Sequence, residues 1–546
     1  MTISSPPGRV RAVHPARPAG LRSGLAVPTS RARHSRGPLV RAAPVRSDRF
    51  LKAISSTAHH QWAPWLLIGA GAWLLRVAGF FHRGGAMGYP VDYDEGVYFS
   101  AAALLTHGVL PYRDYFFVHP PGIAVLLGPL AALGGRVDAA TAFSVVRGFI
   151  PLLGALSAVL CGRIVQARWG TRAGVVAALV YALYPEAAAT ERGPFLEPWL
   201  NLACLGMAWV LLLPADTGRA LRRDVCAGVL LATACAIKLT AGVWVVAVAW
   251  ALGGAGDLGR ARRVIGVAAF TGLLWVGPFL AVAAGPMVEG LLRFQLQRPP
   301  DGELEPVRRL LTILGEGHWG VSVLSLLGLA GALARTRRSD AVAERLFSLA
   351  WLLTVAVFLA SKSYWGQYNA SLAPATAVLA GLGASLLLDW AERRSRRLEV
   401  AMVAAVGLLA LSSLPAALRS ANQRDRGLLT IGNAIRASVP AKATLCAFEP
   451  AWAIAAGRLP GLPWGSPLLV DPYGLMLHDA SGGSARFTSA TAAFEDERTQ
   501  RTVLPMFERC DALVLLGRGE WQLSEASERW VGEHFTREGD VWKRRP

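Results

Sequence analysis

Eleven apolar runs set the limits on what this chain can become. They fall at residues 62–81, 142–166, 173–187, 198–213, 225–237, 240–256, 264–284, 319–334, 346–360, 370–390 and 398–416. About 20 apolar residues in helical form cross the hydrocarbon core of a bilayer. Inside that core only a helix or a closed barrel satisfies every backbone polar group. With 53% of its 546 residues hydrophobic and 17% charged, the chain is also too poor in charge to clothe a soluble fold of this length. The expected fold class is an α-helical polytopic membrane protein with about 11 transmembrane helices, followed by a C-terminal soluble α/β domain.

The net charge of +19 invites a nucleic-acid reading, but its distribution argues for a membrane surface. Residues 1–60 carry ten arginines and Lys52 against Asp48 alone, in a Pro-, Ser-, Ala- and Gly-rich stretch with no helical or strand period. Such a composition predicts a disordered cytoplasmic tail drawn to anionic headgroups, with no nucleic-acid partner. It lacks the small-residue cleavage site of a secretory signal. If the tail is cytoplasmic, alternation puts the loops 167–172, 214–224, 257–263, 335–345 and 391–397 inside, with 16 Lys/Arg in 42 residues. The outer loops 82–141, 188–197, 238–239, 285–318 and 361–369 hold 10 in 115. That asymmetry follows the positive-inside rule and supports count and orientation together. The apolar segment 123–135 contains Gly128 and Pro129 and is too short to span, so 82–141 is expected to be one outer loop that dips into the membrane surface.

From about residue 417 the texture changes. Short apolar runs such as 443–448 and 512–516 alternate with helical stretches such as 427–438 and 526–534. The expected domains are the tail 1–60, a membrane domain 61–416 and an extracytoplasmic α/β domain 417–546. There Cys446 and Cys510 either pair or remain two buried thiols. Neither sits in a CxxC or Cys/His cluster, which argues against structural zinc.

Chemistry concentrates in Tyr89–Gly122, YPVDYDEGVYFSAAALLTHGVLPYRDYFFVHPPG. The bland reading is a polar loop with an ordinary share of carboxylates. The sharper one is that the apolar stretch Phe99–Leu105 holds Asp94 and Glu95 at the edge of a low-dielectric, water-poor site. Burial there raises a carboxylate's proton affinity toward neutrality and makes it a useful general base.

The strings DYDEGVYF, GVLPYRDYFFVHPPG and FLEPWLNLA resemble the GT-C type polyprenyl-phosphate-sugar-dependent glycosyltransferases, the superfamily that includes protein O-mannosyltransferases and the aminoarabinose transferases acting on lipid A. The likeness covers roughly residues 62–390 in layout, with the motifs concentrated in 89–122 and 191–203. It implies a GT-C-like membrane domain and assigns roles residue by residue. Asp94 matches the residue thought to activate the acceptor, Glu95 is its partner, and Glu197 stands where the family places a second acidic residue at the outer end of a span, ahead of Glu186 and Glu191. His119 stands where the aminoarabinose transferases carry a basic residue before Pro-Pro. Arg76, Lys238 and Arg298 join it as candidates for holding the donor phosphate. For Arg76 the argument is also physical, because an arginine within an apolar run is costly unless it is paired or snorkels. Tyr364 and Tyr368, in KSYWGQYNA, stand where relatives often have His-Tyr. Gln367 precedes Tyr368 here, and an interfacial aromatic belt is the favoured reading of both tyrosines. Asp94, Asp114 and Glu197 are hard oxygen ligands suited to a divalent metal such as Mg, Mn or Zn. Relatives differ in needing one, so the question stays open.

No Walker loop, strand-flanked GxGxxG or HExxH is present, so the driving force must come from an activated donor. The reading is a multi-pass plasma-membrane glycosyltransferase, N-terminus cytoplasmic and C-terminal domain outside. It takes a sugar from a polyprenyl-phosphate donor in the bilayer to a protein, lipid or polysaccharide acceptor by direct inverting displacement. The rivals are a transporter or flippase of lipid-linked sugars and an inactive scaffold of the same fold. A transporter should show internal repeats and midplane ionisable residues. No clear repeat is visible, and the acidic residues cluster at the outer face.

Overall fold

The computed structural model describes residues 58–82, 84–213, 218–423, 427–482 and 487–546. The expected basic tail, apart from its last three residues, lies outside them. The described residues belong to one compact unit.

Each of the eleven long apolar runs is helical over most of its length, but the helices differ in length. Six are long and apolar enough to cross a membrane: Trp62–His82, Ala139–Trp169, Leu258–Gln297, Val342–Ala360, Gly366–Glu392 and Arg396–Ala421. A seventh crossing is counted if Pro306–Leu314 and Trp319–Arg335, which meet at 92°, form one broken span. The runs expected at 173–187, 198–213, 225–237 and 240–256 are the helices Thr171–Ala182, Glu197–Leu212, Ala220–Ile237 and Gly242–Gly253, of 12, 16, 18 and 12 residues. The segment read as re-entrant is the helix Gly122–Ala131 followed by a 3₁₀ turn, Ala132–Gly135.

The exterior is inverted relative to a soluble protein. Leu66, Leu67, Phe270, Leu273, Leu274 and Leu408 are all more than half exposed. They sit on the first span and on Leu258–Gln297 and Arg396–Ala421, of whose apolar windows only 39%, 17% and 22% is buried. Gly366–Glu392, by contrast, is 83% buried and runs through the centre. Apolar surface on that scale calls for lipid rather than water. Part of the loop charge is structural. Asp224, fully buried, takes Arg260 at 2.7 Å and Arg263 at 2.9 Å, and Arg172 reaches Glu399 at 2.8 Å.

The helix Tyr93–Leu105 begins at a capping box written in the sequence as Asp92-Tyr-Asp-Glu95. The Asp92 carboxylate accepts from the Asp94 N–H at 3.2 Å, and the Glu95 carboxylate accepts from the Asp92 N–H at 3.0 Å. Two glycines allow close approaches that build the site. A Cβ on Gly96 would lie 2.6 Å from the Ala451 nitrogen, so only glycine lets the short helix Pro450–Ala455 pack on this one. A Cβ on Gly122 would strike the Ala236 carbonyl, so glycine also lets the His-Pro-Pro-Gly turn reach the end of Ala220–Ile237 beside Lys238.

The C-terminal residues form a four-stranded sheet in the spatial order Leu445–Ala447, Ala512–Val514, Val541–Arg544, Phe535–Glu538. The first pair is parallel and the other two are antiparallel. Cys446 and Cys510 are joined in a disulfide. An apolar cluster of Phe448, Met476, Phe494, Phe507 and Leu513 extends to Val118 and Phe294, tying this region to the segments 82–141 and 285–318.

Candidate functional site

The geometry of the segment 82–141 starts from a strained residue. Tyr112 holds a positive φ of 69°, a left-handed conformation that costs an ordinary side chain about 1–2 kcal/mol. Its hydroxyl donates to the His119 carbonyl and its N–H donates to Tyr115 at 3.0 Å. These bonds fold the segment back, so that His119 faces Tyr98 on the Asp94 helix, ring nitrogen to hydroxyl 3.1 Å.

The wall completed in this way lines a half-open cavity of about 270 Å³. Asp94, Tyr93 and Tyr98 line it from one helix, and His119 from the turn. Lys238, Arg298, Asp301, Trp365 and Tyr368 line it from the segments that join the apolar helices, and Asp471, Tyr473 and Arg518 from the C-terminal region. Four carboxylates and three fixed cations therefore gather around one space, counting Glu197 just behind the wall.

Asp94 accepts no hydrogen bond among the described residues. Its carboxyl is pushed up to about 8, first by burial and then by Asp92, Asp471 and Glu197, while the Arg518 guanidinium pulls the other way. A carboxyl in that range suits proton transfer near neutral pH. Asp471, the other carboxylate in contact with the cavity from the C-terminal side, is engaged: one oxygen accepts from the Tyr93 hydroxyl at 2.8 Å and the Gly474 N–H at 2.9 Å.

The cations differ in how far they are matched. Lys238 meets Glu197 at 2.6 Å and stands 4.3 Å from the Tyr368 ring centre. Arg298 meets Asp301 at 2.7 Å, and Asp301 in turn accepts from the Trp365 indole at 3.3 Å and from the Tyr473 hydroxyl. His119 is pushed down to about 3 by burial and by Lys238 and Arg298, so it is a neutral ring that brings no charge to a phosphate.

Other expected site residues stand elsewhere. Glu95 does not line the cavity. Arg147, fully buried, clasps both its oxygens at 2.9 and 3.1 Å and also donates to the carbonyls of Tyr89 and Pro90 at 2.9 and 2.6 Å. Arg76 is likewise internal, with Glu191 at 2.6 Å and the carbonyls of Ala72 and Ala182 at 2.9 and 3.1 Å. Its charge is matched inside the helix bundle, away from the cavity. Asp114 is held by Arg113 at 2.7 Å on the exterior. Asp94, Asp114 and Glu197 thus do not converge, and among the described residues no group of three or more His, Cys, Asp or Glu side chains is arranged to hold a metal. Nor do the tyrosines form a lipid-facing belt: Tyr364 is buried and donates to Asn369 at 2.8 Å, and Tyr368 lines the cavity.

Sequence reasoning missed Arg518, Asp471, Tyr473 and Arg147. Arg147 had one signal, an arginine inside the run 142–166, the same signal that singled out Arg76. The other three are ordinary surface types in the C-terminal stretch and carry no local mark.

No family model matches the sequence, and no curated protein matches it. Solved structures do match it in fold. The chain resembles ArnT from Cupriavidus metallidurans bound to undecaprenyl phosphate, with TM-score 0.56 and 14% identity over 73% of this chain and 85% of that one. It also resembles the archaeal oligosaccharyltransferase AglB from Archaeoglobus fulgidus in complex with an inhibitory peptide and a dolichol-phosphate, with TM-score 0.56 and 13% identity over 88% and 73%. The Archaeoglobus fulgidus oligosaccharyltransferase in complex with Zn and sulfate matches at TM-score 0.52 and 12% identity over 82% and 67%.

Proposed function

We propose that this protein is a membrane glycosyltransferase that moves a sugar from a polyprenyl-phosphate donor to an extracytoplasmic acceptor. Asp94 takes the proton of the acceptor hydroxyl as that oxygen attacks the anomeric carbon. The carbon–oxygen bond to the polyprenyl phosphate breaks in the same step, so the configuration inverts. Lys238 and Arg298 face the departing phosphate, whose negative charge grows as the bond breaks, and this is where fixed cations lower the barrier. Glu197 and Asp301 are positioning residues that hold those cations in place. No step is assigned to a metal, since the oxygen ligands expected for one do not meet.

The observation that carries this reading is the shared cavity. An unbonded carboxylate tuned near neutrality and two oriented cations line one half-open space beside the ends of apolar helices. The fold shared with ArnT bound to undecaprenyl phosphate and with AglB in complex with a dolichol-phosphate supports it. We place the N-terminus in the cytoplasm, count eleven crossings with the four shorter helices included, and put residues 417–546 outside. A disulfide at Cys446–Cys510 fits an oxidising compartment.

The test uses full-length protein in detergent with a panel of radiolabelled polyprenyl-phosphate sugars, a crude extracytoplasmic acceptor fraction, and magnesium and manganese each supplied and omitted. Labelled acceptor and free polyprenyl phosphate should both form, and Asp94→Asn should cut turnover by about two to four orders of magnitude. Binding of donor with its release unchanged across the whole panel is the behaviour of a lipid-linked-sugar transporter and would overturn the proposal.

A further inference from the structure

Of the three fixed cations lining the cavity, Lys238 and Arg298 each have a carboxylate at 2.6–2.7 Å. Arg518 has none within ion-pair distance among the described residues, and its Nη1 is buried without a hydrogen-bond partner. An unsatisfied buried donor is uncommon in a native structure and needs a reason. The guanidinium is nevertheless held firmly. The rings of Tyr93, Tyr473 and Trp365 surround it, with centres 4.7, 4.6 and 5.4 Å from its central carbon. Its own N–H is anchored on Glu449 at 2.8 Å, which fixes the turn Gly517–Glu520. A rigid, planar fork with free donors, set among aromatic faces in a cavity, matches a phosphate or carboxylate in shape and charge.

The carboxylate that acts most strongly on Arg518 is Asp94, so the C-terminal region places a positive group on the side of the proposed base. We infer that Arg518 is an anion subsite of this cavity, taking a phosphate or carboxylate group of a substrate beside Asp94. The subsite deepens the glycosyltransferase reading and rests on it only for the choice of a lipid phosphate as one probe.

The experiment is calorimetric titration of the full-length protein in detergent with farnesyl phosphate, farnesol and methyl phosphate. Methyl phosphate is added both to the free protein and to protein already saturated with farnesyl phosphate. Arg518→Gln should weaken one of the phosphate titrations about tenfold or more and leave farnesol unchanged, and Arg518→Lys should restore part of the loss. Weakened farnesyl phosphate binding identifies the anion as the lipid phosphate. Weakened methyl phosphate binding alone identifies it as a separate group, as on an acidic acceptor. A wild-type protein that binds methyl phosphate through Arg518 but not farnesyl phosphate would sink the lipid-phosphate donor and leave the subsite standing. The subsite is refuted if both phosphate titrations in Arg518→Gln, or in Arg518→Met should the glutamine variant not fold, stay within twofold of wild type. It is equally refuted if the wild type binds neither phosphate.

Discussion

Asp94 and Glu95 are adjacent carboxylates, and the structure predicts that neutralising them changes stability in opposite directions. The Asp94 carboxyl moves from an ordinary 3.8 to about 8 on folding, about four units at 1.36 kcal/mol each. Its folded value lies above its unfolded one, so the folded state prefers the protonated form. The resulting penalty is absent below about pH 4, grows as the pH rises and is complete above about pH 8. At pH 7 it amounts to about 4 kcal/mol. Asp94→Asn keeps the shape of the protonated acid and removes the penalty. In a chain of this length, where unfolding entropy is about 1 kcal/mol per kelvin, the melting temperature should rise by about 4 °C. Turnover should fall by about two to four orders of magnitude in the same variant.

Glu95→Gln is the control. Glutamine still serves a capping box, but it leaves the fully buried Arg147 without its charge partner, which costs about 3–5 kcal/mol. The assays are scanning fluorimetry at pH 7 and at pH 4.5 together with sugar-transfer rates. The gain in Asp94→Asn should shrink at the lower pH. A melting temperature that falls in Asp94→Asn, or turnover within tenfold of wild type, refutes the assignment of Asp94 as a buried base.

Three further outcomes follow from the same residues. Because only ionised Asp94 accepts a proton, kcat/KM should rise about tenfold per pH unit up to about pH 8, and Arg518→Gln should move that limb to higher pH by removing the cation that favours the carboxylate; a flat profile between pH 6 and 8 contradicts this. Arg76→Ala should cost about 3–5 kcal/mol of stability by stranding the buried Glu191 while leaving kcat of the surviving fold within a few-fold of wild type, whereas Lys238→Ala should lower kcat; the converse pattern in kinetics and melting would return Arg76 to the site. In a Cys226→Ser background, which removes the exposed native thiol, single cysteines at Arg338 and Arg394 should label only from the cytoplasm and one at Glu525 only from outside. Labelling of Glu525 from the cytoplasm would place the cavity on the wrong side for an outer-leaflet donor.

Much of the helical layout was legible because burial in lipid leaves a coarse signal. Each apolar run became a helix, and the Gly- and Pro-bearing 123–135 became a short helix and a turn, as its length required. The length of each crossing was less legible. Thr171–Ala182 and Gly242–Gly253 have only 12 residues, and hydropathy does not mark where a chain leaves the helix for an irregular but protein-covered segment. The pairing of Cys446 with Cys510 was also beyond the sequence, because it depends on two strands, Leu445–Ala447 and Ala512–Val514, finding each other across more than 60 residues.

At the site the same contrast appears between local and assembled information. Asp94 stood out because its neighbours in sequence are also its neighbours in space: Asp92 caps the helix it starts, and Tyr98 faces the His119 turn. Glu95 carried an equal sequence signal, and only Arg147, 52 residues away, turns it from a candidate acid or base into a structural anion. Arg518 carried no signal. It reaches Tyr93 because Gly96 allows the Pro450–Ala455 helix to lie against the helix that bears Asp94, and because Glu449, at the start of that short helix, anchors the Arg518 N–H. A glycine in the motif and a carboxylate in the C-terminal region together set the charge environment of the proposed base. The C-terminal residues are therefore part of the wall of the cavity, and removing them would leave Asp94 facing a space open on the side where Arg518 and Asp471 now stand.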